Sequence, residues 1–529
     1  MADAFLLVLH SHLPYVRGAG RWPHGEEWVH EAILGTYLPL LVALHDLRED
    51  VVPYRITIGL TPTLLEQLAH TEIKERFVEY VDDQIARADL DLAGASTRGR
   101  RELSDFYGRS YRDLREAFLT RFDRDIPHAF ADLAATGHVE ILTSGATHGY
   151  LPLLDEASVH AQLSLGRSTT RRLTGIDATG IWLPECAYRP GLETLLEAHG
   201  IDHFFTDAPL LAGANVGTGG RRFRPWSGTS WSGAALDAGA AAAGPAWADV
   251  FRPYLVGESG VAAIARHPEV SGQVWSAQMG YPGDAAYREF HRKDDRSGLR
   301  YWRVTDTQTD LGAKEEYDVA RAARRVREHA AHFAYRVREE LADARRRSGT
   351  DAIVTTTFDS ELFGHWWFEG VDWLSLVLRD LADLTTTASE RLAAAAPHAR
   401  IALREGSWGK GSDHSTWLNP DTEWMWHALA RMCDELLRLR SAPPEDGIRA
   451  RAASQALREL LLAQSSDWPF LVTTGQAGQY ATERFRMHEQ RFARSVAIAR
   501  GGTAADETEL RSLERVDDVF PDATLAAAG

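Results

Sequence analysis

The chain has 529 residues, 44% hydrophobic and 25% charged, long enough for a large core with additions, and its formal net charge is -17. That acidity argues against nucleic acid and against an anionic membrane surface as partners, and no apolar stretch is long and clean enough to cross a bilayer. With only two cysteines, Cys186 and Cys433, a reduced, cytoplasmic setting is expected rather than a disulfide scaffold.

The first residues carry no basic segment and run at once into His10 and His12, so they are not read as a signal peptide. Instead 4–9 reads as a strand, followed by a helix over 31–48. A strand at 54–60 precedes a helix at 63–86, and a strand at 138–143 precedes a helix at 156–173. Further strands are expected at 180–184, 202–206 and 261–266, and the long charged helix 318–346 leads into a strand at 351–358. This β-then-α order predicts an α/β fold with parallel strands. Residues 88–137 are polar and helical, with Tyr107, Tyr111, Phe118 and Phe122 at helical spacing, and read as an inserted subdomain. From about 411 onward three helices follow one another, at 422–439, 447–464 and 476–499. The Ala/Gly-rich stretch 232–245 has no hydrophobic period and is expected to be a mobile loop.

Chemistry-bearing residues fall at strand ends. In Trp182-Leu183-Pro184-Glu185 a strand runs through proline into a carboxylate among aromatic neighbours. Asp359 ends another strand and is followed by Phe363, His365, Trp366 and Trp367. Two carboxylates facing one cleft suit glycosidic bond cleavage, one protonating the leaving oxygen and the other attacking or activating water. The 16 tryptophans, many beside Gly, Pro, His or Asp, suggest flat platforms for sugar rings. His10 and His12 share one face of their strand. With His148 they are open to two readings, sugar contact or a metal-dependent deacetylase- or mannosidase-like site. No Asp or Cys at ligand spacing along the sequence supports the metal.

Five motifs in order carry a resemblance to glycoside hydrolase family 57. They are His10-Ser11-His12-Leu13-Pro14, Gly145-Ala146-Thr147-His148, Trp182-Leu183-Pro184-Glu185, the segment from Phe358 to Trp366, and the stretch from Trp408 to Asn419. The resemblance implies an incomplete (β/α)7 barrel over 1–87 and 138–410, an inserted helical subdomain over 88–137, and a C-terminal helical domain over 411–529. It implies Glu185 as nucleophile, Asp359 as general acid/base, and His10, His12 and His148 as sugar contacts, with no metal and no cofactor. Within the family the layout most resembles the 1,4-α-glucan branching group, through Gly280-Tyr281-Pro282-Gly283, Trp408-Gly409-Lys410-Gly411 and Ser466-Asp467-Trp468-Pro469-Phe470. Trp22, Arg266, Trp275, Gly283, Trp408, Trp417, Asp467 and Gln476 become candidate contacts to an α-glucan such as amylose or a glycogen-like polymer, acted on by a monomer. One departure stands out. Branching members resemble one another in a loop tyrosine after the nucleophile motif, yet no Tyr lies between Tyr188 and Tyr254. Trp247 is the nearest aromatic substitute, and an α-amylase or 4-α-glucanotransferase stays open beside the branching reading.

Overall fold

Eight consecutive buried residues, Ala4–Ser11, form the first strand, β1. Such a run, with no polar alternation, belongs to a strand covered on both faces. This computed structural model describes residues 3–20, 24–211, 248–276, 279–306, 308–444 and 447–525, and the expected loop at 232–245 lies outside them.

Among the described residues eight further strands follow: β2 (Ile56–Leu60), β3 (Val139–Leu142), β4 (Gly180–Ile181), β5 (His203–Thr206), β6 (Tyr254–Val256), β7 (Ala262–Ala265), β8 (Ile353–Asp359) and β9 (Arg400–Ile401). They make two sheets, β3-β2-β1-β8 and β4-β5-β7-β6-β9. A parallel bridge between Thr143 and Ile181 joins the two sheets at β3 and β4. At the other end of the series, just past β7, the His267 amide donates to the Thr355 carbonyl of β8 at 2.6 Å. Among the described residues only β6 runs antiparallel to its neighbour β7.

The two faces of β1 part company, as period-2 geometry requires. Phe5, Leu7 and Leu9 enter the large core shared with the surrounding helices. Ala4, Leu6 and Val8 enter a small inner cluster with Leu142, Trp182, Phe205, Ile264 and Ile353, which come from both sheets. His10 and His12 continue the inner row beyond the last apolar layer.

Helix ends follow their local chemistry. Asp155 caps the helix Glu156–Thr174 and left-handed Gly175 ends it; Asp318 and Gly349 do the same for Val319–Ser348. Two expectations are corrected. The single helix at 63–86 is two, Pro62–Ala69 and Thr71–Gly94, parted at extended His70, whose ring accepts from the Glu72 amide. The segment before 476 is itself helical, Asp467–Thr474, separated from Gly478–Gly501 at left-handed Gly475. The expected boundary at 87/88 falls inside Thr71–Gly94, and Tyr107, Phe118 and Phe122 are buried in the large core. Helices Glu423–Ser441, Gly447–Ala463 and Gly478–Gly501 contribute to a second core.

Candidate active site

After β4 the chain turns sharply. Glu185 and Cys186 both take positive φ, 63° and 49°, in a short turn after Pro184. Such backbone strain in non-glycine residues concentrates at functional sites. Here it is held by hydrogen bonds from the Cys186 amide to Leu183 and from the Trp408 amide to the Glu185 carbonyl. The Glu185 carboxylate accepts from both sides: Ser466 Oγ donates to Oε1 at 2.8 Å and Trp408 Nε1 donates to Oε2 at 2.8 Å. Burial raises its pKa, and these two donors pull against that rise. Both donors favour the anion.

Asp359 is the last residue of β8 and pairs in register with His10 of β1. Its pKa lies well above the usual carboxylate range, through burial first, then the charges of Glu361 and Glu185, with Arg266 opposing. Burial thus raises both carboxyls, but Glu185 has two donors that favour its anion while the acidic neighbours of Asp359 favour its proton, an unlikeness that suits a pair dividing nucleophile and acid roles. Arg266 is fixed by a two-pronged ion pair to Asp207, at 2.9 and 3.1 Å, and its guanidinium lies 5.8 Å from the centre of the Trp408 ring.

The three histidines come together. His10 stacks on Trp182 at 4.6 Å, and His12 on His148 at 3.8 Å. His10 Nε2 and His148 Nε2 are 3.0 Å apart, and His148 Nδ1 is 2.8 Å from Ser466 Oγ. Burial, and then neighbouring imidazoles, push the pKa of His10 and His148 well down, so both are neutral. His12 differs. Burial would lower it, but Asp467, 2.9 Å from Nε2, outweighs that and its pKa is raised.

Asp467 corrects a sequence argument: an acid does stand at ligand distance from the histidines, brought from the helix Asp467–Thr474. Ligand atoms of His12, His148 and Asp467 lie within 4.8 Å of one another. The ring nitrogens of His12 are nonetheless engaged by Thr61 and Asp467, and those of His148 by His10 and Ser466. A metal ion would have to displace those bonds.

The remaining candidates are scattered. Trp417 is 1% exposed and lies against Tyr150 and Phe470, so it backs Tyr150 and presents no open face. Trp275 ends the helix Pro268–Trp275, packed on the large core. Gly283 ends the turn Tyr281–Gly283, and Gln476 is exposed in the bend before Gly478–Gly501. Trp22 and Trp247 lie outside the described residues.

Other residues enter that sequence reasoning did not single out. Glu361 accepts from the Tyr37 hydroxyl and from the His12 amide, and burial pushes its pKa up to about 7. Tyr37 arrives on a π-helical turn, Ile33–Tyr37, a form frequent at functional sites. Ser466 sits beside Asp467 in a noted motif, and that adjacency was the available signal.

Comparison with known proteins gives two matches along the chain. Glycosyl hydrolase family 57 matches residues 6–387, and a region described as 1,4-alpha-glucan branching enzyme, C-terminal, matches residues 426–526. The chain is 39% identical over 540 residues to a 1,4-alpha-glucan branching enzyme of Thermococcus kodakarensis, covering 98% of this chain and 77% of that protein. Among solved structures it is similar to a GH57-type branching enzyme from Pyrococcus horikoshii, with a TM-score of 0.89 and 36% identity, covering 100% of this chain and 97% of that one. It is also similar to the alpha-amylase AmyC from Thermotoga maritima, with a TM-score of 0.84 and 30% identity, covering 100% and 99%.

Proposed function

The chain belongs to glycosyl hydrolase family 57, and from that premise we propose that it is a retaining 1,4-α-glucan branching enzyme. The observation that carries the chemistry is the pair of unlike carboxyls. Glu185 is braced as an anion by Ser466 and Trp408, and Asp359 is biased to hold a proton. An α-1,4-glucan occupies the site. Asp359 protonates the glycosidic oxygen while Glu185 attacks the anomeric carbon, and the cleaved chain becomes a glycosyl-enzyme. Asp359, now ionised, takes the proton of an acceptor 6-hydroxyl, which attacks the same carbon and releases Glu185. The product is an α-1,6 branch with retained configuration. No cofactor enters these steps. His10, His12, His148, Arg266 and Asp467 line the reacting centre in this reading, Trp275, Gly283 and Gln476 serve more distant sugar units, and Trp22 is a further substrate contact.

The same reading takes the parallel series β8-β1-β2-β3-β4-β5-β7 as an incomplete barrel, supported by its shared inner cluster. Residues 88–137 are its addition and 411–529 a helical domain. The protein acts as a monomer in the cytoplasm, a setting supported by its two free cysteines. Among the described residues no helix is long and apolar enough to cross a membrane.

Hydrolysis is the second reading, favoured by the missing tyrosine between Tyr188 and Tyr254 and by the likeness to the Thermotoga amylase. Linkage analysis of amylose after treatment decides. New α-1,6 linkages support branching; reducing ends without them give the amylase reading. Trp247 is the aromatic proposed to screen the intermediate from water. Trp247→Ala is expected to lower the ratio of new α-1,6 linkages to new reducing ends, and an unmoved ratio removes Trp247 from that role.

A further inference from the structure

Read as the nucleophile, Glu185 is an anion with no proton to give, and the direction of every hydrogen bond leading to it follows. Ser466 has one hydroxyl proton, and at 2.8 Å it goes to Glu185 Oε1. Ser466 Oγ also lies 2.8 Å from His148 Nδ1, so there it must accept, and His148 carries its proton on Nδ1. Neutral His148 then has a bare Nε2, which accepts from His10 Nε2–H at 3.0 Å. That leaves His10 Nδ1 bare, and this atom is buried without a hydrogen-bond partner among the described residues.

The unpartnered atom gives the line its sense. Run in reverse, Ser466 would donate to His148, His148 to His10, and His10 would carry an N–H on Nδ1. A buried N–H without an acceptor is the rarer defect, compared with a buried acceptor left unused. His148 is itself held at φ 57°, a conformation non-glycine residues seldom adopt, and its carbonyl accepts from the Ser466 amide at 3.0 Å. Side chain and backbone thus both tie His148 to Ser466.

We propose that Ser466 is a positioning residue for the nucleophile, its hydroxyl polarised toward Glu185 by the line His10–His148–Ser466, so that the C-terminal helical segment helps to keep the carboxylate ionised and aligned. The proposal rests on the reading of Glu185 as nucleophile. The other ionisable groups facing Glu185 are Asp467, His12, Asp359, Tyr150, the adjacent Cys186 and, at 3.9 Å, His148. All of them remain in a Ser466 variant, so a change in the titration of Glu185 reports the hydroxyl.

The experiment uses the full chain with Ser466→Ala, Ser466→Cys and Ser466→Thr, the probe being a 5-fluoroglucosyl fluoride that accumulates the glycosyl-enzyme. Labelled peptide mapping locates the nucleophile, and turnover on amylose gives kcat and KM against pH. In Ser466→Ala the expected result is labelling at Glu185 slowed roughly ten- to a hundred-fold, the worth of one hydrogen bond to a charged group. The loss falls in kcat with KM little changed, and the acid limb of the profile moves to higher pH, because an anion deprived of a donor binds a proton more readily. Thr restores both, and Cys, which fills the space but donates weakly, behaves like Ala even if Ala fails to fold. An acid limb that stays in place in Ala and Cys overturns the proposal, as does a Thr variant no better than Ala. A label on a residue other than Glu185 in the unaltered protein overturns the nucleophile reading itself, a distinct failure.

Discussion

Replacing Asp467 by Asn removes one charge from the His12 pair while keeping the side-chain shape. The contact is 2.9 Å, and the two side chains are 11% and 16% exposed. At that distance and an effective dielectric of about 20, Coulomb attraction is about 6 kcal/mol. Desolvating two ions takes back several kcal/mol, which leaves about 2 kcal/mol for the pair. The sign follows from the shifts. His12 is raised in the folded protein, so its contribution is full below the ordinary imidazole range and is lost as pH rises through the raised value. Asp467 is lowered despite its burial, so its own contribution is present above the ordinary carboxylate range and is lost only in acid. The expected loss of stability in Asp467→Asn is therefore largest near pH ~6 and much smaller near pH ~9. Urea denaturation at the two pH values, followed by tryptophan fluorescence, measures it. An equal loss at both, or a greater one in base, refutes the ion-pair account. The acid limb of activity should barely move, since a neutral His12 beside Asn presents Glu185 with the same net charge as the intact pair.

Glu185→Gln keeps the shape and removes the attacking anion, so near-complete loss of transfer and hydrolysis is expected in a variant with unchanged circular dichroism. In Glu361→Gln the Tyr37 and His12 donors keep an acceptor, but one of the two charges that add to burial in raising Asp359 is gone. The pKa of Asp359 should fall, and the basic limb of the kcat/KM profile should move to lower pH. Extended dialysis against a chelator is expected to leave activity unchanged; activity lost in step with a stoichiometric metal and recovered on its return would favour a metal-dependent site at His12, His148 and Asp467.

The sequence made the strand-end chemistry legible because it is local. β1 is a continuous apolar run, and His10 and His12 extend its inner row. A strand leading through Pro184 into Glu185, and another ending at Asp359, needed no distant information. What escaped was of two kinds. Very short strands, β4, β6 and β9 with two or three residues each, have too few positions for a period to emerge, though β4 was caught through its motif. Contacts between remote segments were the other kind. Asp467 reaches His12 across 455 positions, and Ser466 reaches Glu185 across 281. No spacing rule along one chain anticipates those meetings, which is why an acid near the histidines was discounted. Tyr37 was missed for a subtler reason: one π-helical turn rotates it off the face that an ordinary helical period assigns.

The pairing of β1 with both β2 and β8 has a consequence for how the protein is made. The second edge of this strand is covered by a segment about 349 positions later, the separation of the Ser11–Ser360 contact. At a ribosomal pace of roughly 5–20 residues per second, the Ala4–Ser11 edge stands open for roughly 17–70 s. Its sequence, AFLLVLHS, is apolar, without charge and without proline, the composition that pairs readily with any other exposed strand. The nascent chain therefore passes through a long interval in which its best-ordered future strand is also its stickiest surface. Yield in recombinant synthesis should track translation speed and the supply of chaperones that shield such edges, more than the stability of the finished fold.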